Sequence, residues 1–179
     1  MSDRTDRELA KRAAAGDRAC FADLVERHYD RVYRLAWRWS GAQTQAEDIA
    51  QDVMVKLATA IKSFRGDSEF STWLYRIAYS TAIDHLRARQ RIVHLAPSQM
   101  MTLMESPSAE TPEDTMMDQE LWQTVRALPD QQRDAILLVY GEDLSHLEAA
   151  QIMGCTEKTV SWHLHEARKR LKIKLEAVG

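Results

Sequence analysis

The sequence predicts an all-α protein made of two small helical domains joined by an extended linker, and three observations carry that prediction. Glycine and proline are sparse, leaving long uninterrupted stretches. Within those stretches apolar residues recur three or four apart, the period of one helical face. Between them, Ile92 to Val125 holds no Lys or Arg but carries Glu105, Glu110, Glu113, Asp114, Asp118 and Glu120.

Residues 18–40 place Phe21, Leu24, Val25, His28, Val32, Leu35 and Ala36 on one face, which predicts a long helix. Thr44-Gln45-Ala46-Glu47 fits a capping box at the start of a second helix. There Ile49, Val53, Leu57 and Ile61 recur every fourth position, and the helix ends before Gly66. A third is expected from about Phe70 to Arg91. Three of the four prolines and five of the eight methionines fall between Pro97 and Met117. That concentration, with the acidic charge, makes about 92–117 an extended linker, because structureless loops of that length are uncommon inside a compact domain.

The helical pattern resumes over 118–128 and 130–140, divided at Pro129. Ser145-His146-Leu147-Glu148 is a second capping box, opening a short helix to Met153 that Gly154 closes in a left-handed turn. Thr156 then caps a final helix over about 157–176. The expected domains are therefore 1–91 and 118–179.

With 24 basic and 27 acidic side chains the net charge is −3, which argues against nucleic-acid binding by bulk charge. The longest unbroken apolar run is 135–140, far short of the roughly 20 residues a membrane span needs, so membrane insertion is not expected. The polar start Met1-Ser2-Asp3-Arg4 does not read as a signal peptide. Cys20 and Cys155 form neither a disulfide framework nor a paired zinc spacing, so a reducing cytoplasm is the expected location.

Charge is nonetheless sorted locally. Lys158 to Lys174 holds six Lys or Arg against the single acid Glu166. A short helix, a glycine turn and a second helix make a helix-turn-helix, with Ala149-Ala150 small enough for a close crossing. On the second helix Val160, Leu164, Ala167 and Leu171 fall within about 60° of one another and face the core. Lys158, Trp162, His165 and Lys169 lie opposite, flanked by Ser161, Arg168 and Lys172, as a helix entering the major groove requires. A solvated amphipathic helix is the plainer alternative for that face.

A second segment mixes rings and cations: Phe64, Phe70, Trp73, Tyr75 and Tyr79 are interleaved with or followed by Arg65, Arg76, Arg87, Arg89 and Arg91. Bases stack on aromatic faces while cations hold phosphates, so the mixture suits single-stranded or melted DNA. For Tyr75 and Tyr79, packing against a neighbouring helix explains the residues at least as well.

No phosphate-binding glycine loop, nucleophile elbow or metal-ligand motif is present, so neither a catalytic residue, a metal site nor a cofactor is expected. His163 and His165 project about 200° apart on a helix and cannot share a metal without distortion. An autonomous helix-turn-helix regulator, or a helical protein binding only other proteins, are the competing readings.

Four stretches taken together resemble a bacterial sigma factor of the extracytoplasmic-function group of the sigma-70 family: Ala46 to Asp52, Phe64 to Ala78, Leu128 to Arg133, and the helix-turn-helix from Leu144 to Leu171. The resemblance implies a first domain like sigma domain two, which binds the β′ clamp helices of core RNA polymerase and opens the −10 element. It implies a last domain like sigma domain four, which reads the −35 element and touches the β flap. On that resemblance Glu47, Asp48, Asp52, Val53 and Leu57 face polymerase. Arg65, Phe70, Ser71, Trp73, Arg76, Ser80 and Arg87 contact −10 DNA. Lys158, Ser161, Trp162, His165, Arg168 and Lys169 contact −35 DNA. It further implies a cognate anti-sigma factor as a partner, stress-type promoters as targets, and no catalytic activity. Ser80 stands where relatives often carry Asn, and Ser161-Trp162-His163 replaces a more cationic run, which implies fewer phosphate contacts and a shallower salt dependence.

Overall fold

The computed structural model describes residues 4–95 and 116–178, all helix and turn. In order these are α1 (Asp6–Ala14), α2 (Arg18–Ser40), α3 (Gln43–Ala60) with a 3-10 turn at Ile61–Ser63, α4 (Phe70–Leu95), α5 (Met116–Arg126), α6 (Asp130–Ile136), α7 (His146–Met153) and α8 (Glu157–Val178). Helix α4 runs past the expected end at Arg91, and most of the expected linker lies outside the described residues.

Helix α1 opens on a capping box that apolar periodicity does not reveal. Thr5 accepts from the Glu8 backbone N–H and Glu8 accepts in return from the Thr5 N–H, the same arrangement that the sequence predicts at Ser145. Asp17 opens α2 by accepting from the Cys20 N–H, and that bond holds the Asp17 carboxyl below its ordinary pKa. Helix α2 closes on Gly41, whose φ of 72° is left-handed. That backbone favours glycine, and a Cβ there would also sit 2.7 Å from the Arg126 guanidinium, which would have to shift. The capping box expected at Thr44 is not the start of α3. The helix begins earlier, after Ala42, and Glu47 instead accepts from the Gln43 side chain four residues back, at 2.9 Å.

The first unit closes around α2, α3 and α4 with Leu24, Val32, Leu35, Ile49, Val53, Leu57, Leu74 and Ala78 buried, and α1 packed on α2. Of the face expected on α2, Leu24, His28, Val32, Leu35 and Ala36 are buried, while Phe21 and Val25 are half-buried.

In the second unit the apolar run continues past α6 as a π-helical turn, Leu137–Gly141, instead of α-helix to residue 140. The widened turn is followed by Asp143 at φ 55°, a left-handed conformation that Asp tolerates better than most residues. The Leu144 N–H then donates to the Leu138 carbonyl. Helix α7 has the predicted box at Ser145 and the predicted left-handed Gly154, φ 69°. Thr156 accepts from the Thr159 N–H to start α8. Val160, Leu164 and Ala167 are fully buried and Leu171 half-buried, as their shared face requires.

The two units do not stand apart: α2 packs on α5 and the π turn, and α4 packs on α7. Their seam is polar and aromatic. Trp39 donates from Nε1 to Asp134 at 3.0 Å, and the Tyr79 hydroxyl donates to the same carboxylate at 3.1 Å. Glu142 accepts from Arg31, Arg38 and Tyr75. The Arg38 guanidinium lies 4.8 Å from the centre of the Trp122 ring, and that of Arg126 5.4 Å from the Trp37 ring.

His163 lies on the inner face of α8, buried, with no partner for Nδ1. Burial pushes its pKa below the ordinary histidine value, with Asp134 opposing weakly. The native state thus binds fewer protons than the unfolded chain. Stability is expected to be fully present above about pH 6.5 and to fall as pH drops toward the depressed native value. Urea midpoints measured across that range check this; His163→Gln should flatten the slope.

Candidate nucleic-acid interface

Helix α8 presents Lys158, Ser161, Trp162, His165, Arg168 and Lys169 to solvent, all of them exposed. Trp162 is 56% exposed, a large apolar group left uncovered at the centre of a polar face. Its ring leans on buried His163, centroids 5.0 Å apart, which limits its freedom. The Ser161 hydroxyl lies 2.9 Å from His146 Nδ1, so the first residue of α7 orients a group on the outer face of α8.

The aromatic segment divides into core and surface. Phe70 is buried among His28, Phe64 and Trp73, with ring centroids 5.1, 5.6 and 5.9 Å away. This corrects its assignment as a DNA contact: no face of the ring is open to a base, and it acts as the floor beneath Trp73. Trp73 is half-buried and tilted against Phe64 at 5.2 Å. With Arg76, Ser80 and Arg87 it lines one wall of a groove of about 820 Å³, whose other wall is Gln151, Met153 and Gly154 from the second unit. Arg65 is exposed in the loop before α4, and Ser71 is half-buried in its first turn. Neither lines the groove.

Tyr75 and Tyr79 follow the packing alternative. Both hydroxyls donate to carboxylates of the second unit, and burial together with those acids pushes both phenols above their ordinary pKa. Burial likewise raises the Asp134 carboxyl, against the lowering pull of Arg133. Arg31, Arg38 and Trp39, which complete this surface, were not singled out in the sequence. Their carboxylate partners lie 95 to 111 residues further along the chain, so no local spacing on α2 marks them.

On α3, Glu47, Asp48 and Asp52 are exposed, but Val53 and Leu57 are fully buried. Their place on a polymerase-facing surface is therefore corrected: they are core residues, held under α2 and α4. The apolar group on the outer face is Val55, 63% exposed. It falls within about 60° of Asp48 and Asp52 on a helical wheel, and that count would have found it.

Two separated segments match family models: Sigma-70 region 2 over residues 24–92 and Sigma-70 region 4 over residues 118–171. The chain is 34% identical over 175 residues to the ECF RNA polymerase sigma factor SigW of Bacillus subtilis, covering 92% of this chain and 94% of that one. The chain belongs to the extracytoplasmic-function sigma factors of the sigma-70 family. It is also 35% identical to the ECF sigma-E factor of Escherichia coli K12, over 96% of this chain and 95% of that one. Among solved structures it is similar to CnrH in complex with the cytosolic domain of CnrY, with 27% identity, a TM-score of 0.74, and coverage of 97% and 99%. A second is the sigma factor RpoE in complex with the anti-sigma factor NepR from Bartonella quintana, with 25% identity, a TM-score of 0.73, and coverage of 87% and 96%. Sigma factors are not enzymes, in keeping with a sequence that offers no catalytic motif. Among the described residues no helix is long and apolar enough to cross a membrane.

The division of α3 into core and surface is open to a direct comparison. Leu57→Ala should lower unfolding stability by about 2–5 kcal/mol. Val55→Ala should change it by no more than about 0.5 kcal/mol, with urea denaturation as the measurement.

Proposed function

We propose that the chain binds core RNA polymerase and directs it to promoters, opening the −10 element with residues 64–87 and reading the −35 element with α8. The observation that carries this is the pairing of two surfaces in one chain. One is an exposed polar face on the second helix of a helix-turn-helix. The other is a half-buried tryptophan beside arginines at the start of α4. An autonomous duplex-binding regulator would have use for the first alone.

Roles follow from exposure. Lys158, Arg168 and Lys169 supply phosphate contacts, while Ser161, Trp162 and His165 reach base edges, Trp162 offering an apolar surface suited to a thymine methyl. At −10, Trp73 stacks on an unpaired base and Arg65, Arg76 and Arg87 hold the backbone, with Ser71 and Ser80 as hydrogen-bonding groups. Core polymerase meets the outer face of α3, where Glu47, Asp48 and Asp52 surround Val55. An anti-sigma factor is the second protein partner, a reading supported by the similar structure of RpoE in complex with the anti-sigma factor NepR.

Gel filtration of the purified protein with sigma-free core polymerase tests this. Stoichiometric co-elution is expected; its absence, with the protein folded and no anti-sigma factor present, would favour the autonomous regulator. Within a reconstituted holoenzyme, Trp73→Ala should impair promoter opening, followed by permanganate reactivity, more than closed-complex formation. Equal loss of both would count against a melting role.

A further inference from the structure

Glu142 is a nearly buried carboxylate, 5% exposed, that accepts three hydrogen bonds from the first unit. Arg31 Nε donates to it at 3.1 Å, Arg38 Nη1 at 2.9 Å and the Tyr75 hydroxyl at 2.9 Å. Both arginines also donate to backbone carbonyls beside it, Arg31 to Glu142 at 3.3 Å and Arg38 to Gly141 at 2.6 Å. Arg31 is further held 5.2 Å from the centre of the Tyr75 ring. Viewed from the first unit, two guanidinium groups and a phenol converge on one point and hold a single anion there.

We infer that Arg31, Arg38 and Tyr75 form a phosphate-binding site for single-stranded DNA, and that Glu142 fills this site while the two units are closed. The inference deepens the promoter reading and rests on it for the choice of single-stranded DNA as the ligand. Guanidinium pairs and hydroxyls bind phosphodiester oxygens by the same geometry with which they bind a carboxylate. The surroundings favour nucleic acid over other anions. Tyr79 and Trp39 lie beside the site with ring centroids 5.7 Å apart, capped by the second carboxylate, Asp134. The two rings are tilted by 52°, and cations beside aromatic rings are the composition of a single-strand platform. The second unit thus occupies, with two carboxylates, the surface where the strand would lie, and strand binding requires the seam to part.

The test uses the full chain with Cys20 and Cys155 replaced by Ala and fluorophores at Lys62→Cys and Gln151→Cys, both positions exposed and one in each unit. Two variants are compared, Glu142→Gln and the pair Arg31→Ala with Arg38→Ala, each first shown to keep its helical circular dichroism. Energy transfer reports opening, and a labelled 20-nucleotide single strand of random sequence reports binding. Both variants should lower transfer. Only Glu142→Gln should bind the strand more tightly, by roughly tenfold, a gain equal to about 1.4 kcal/mol. The arginine pair should show no gain, and its log–log salt slope should be shallower by about 0.7 for each phosphate that is no longer neutralised. Unchanged transfer in Glu142→Gln would overturn the occupancy of the site by Glu142. Opening without tighter strand binding would overturn the phosphate assignment and leave an acidic protein segment as the ligand of the arginines. Equal gains in both variants would overturn it as well. No polymerase is present, so a failure to co-elute with core enzyme would defeat the promoter reading and leave these outcomes standing.

Discussion

Two carboxylates buried at the seam set the relation between the halves of the molecule. A buried charge costs several kcal/mol unless it is paired and hydrogen-bonded, so Asp134 and Glu142 tolerate few arrangements of their surroundings. Asp134 takes Arg133 from its own helix, then needs Trp39 and Tyr79 from the first unit. Glu142 takes its side-chain partners across the seam. With those bonds made, α2 and α4 can lie against α5, the π turn and α7 in one register. The groove beside Trp73 is a consequence, because its second wall belongs to the other unit.

The π turn is where the backbone serves that constraint. An uninterrupted α6 would carry its apolar residues onward at 100° per residue and turn the end of the helix away from α2. The wider turn keeps Leu137 and Leu138 buried and lets Asp143, in its left-handed conformation, return the chain toward α7. A π-helical turn is uncommon and often marks a functional position. Here it delivers Glu142 to the arginines. The glycine at 41 serves the same seam from the other side, leaving room for Arg126 to reach across Trp37.

How much of this was legible in the sequence depended on whether the signal was local. The cap at Ser145, the turn at Gly154 and the buried stripe Val160, Leu164 and Ala167 follow from spacing along one helix, and all are present. The cap at Thr5 is equally local, whereas the box matched at Thr44 does not start α3, which begins at Gln43 with Glu47 accepting from the Gln43 side chain. Val53 and Leu57 were legible as core from their fourfold recurrence; the polymerase role came from resemblance, which does not distinguish one side of a helix from another. Phe70 failed for a related reason, since an aromatic ring in a cluster reads the same whether it stacks on bases or on other rings. The seam had no local signal at all. Arg31 and Arg38 are separated from Glu142 by over a hundred residues of chain, and each is an ordinary polar residue on an amphipathic segment.

The same distribution explains how an acidic chain serves as a DNA-binding protein. Its net charge of −3 is an average over surfaces that are sorted by sign. Acids crowd the outer face of α3, cations crowd the outer face of α8, and two further acids are withdrawn into the seam. Of those two, Glu142 neutralises Arg31 and Arg38 of the first unit only while the units are closed, whereas Asp134 keeps Arg133 of its own helix. When the seam parts its donors and acceptors can turn to water, while the exposure of Trp37, Trp39 and Tyr75, which are buried there, opposes the parting. A seam of leucines would have fused the halves into one rigid body. Built from carboxylates, guanidinium groups and phenols, it holds them together through charges that a polyanionic strand can replace on one side and water can replace on the other.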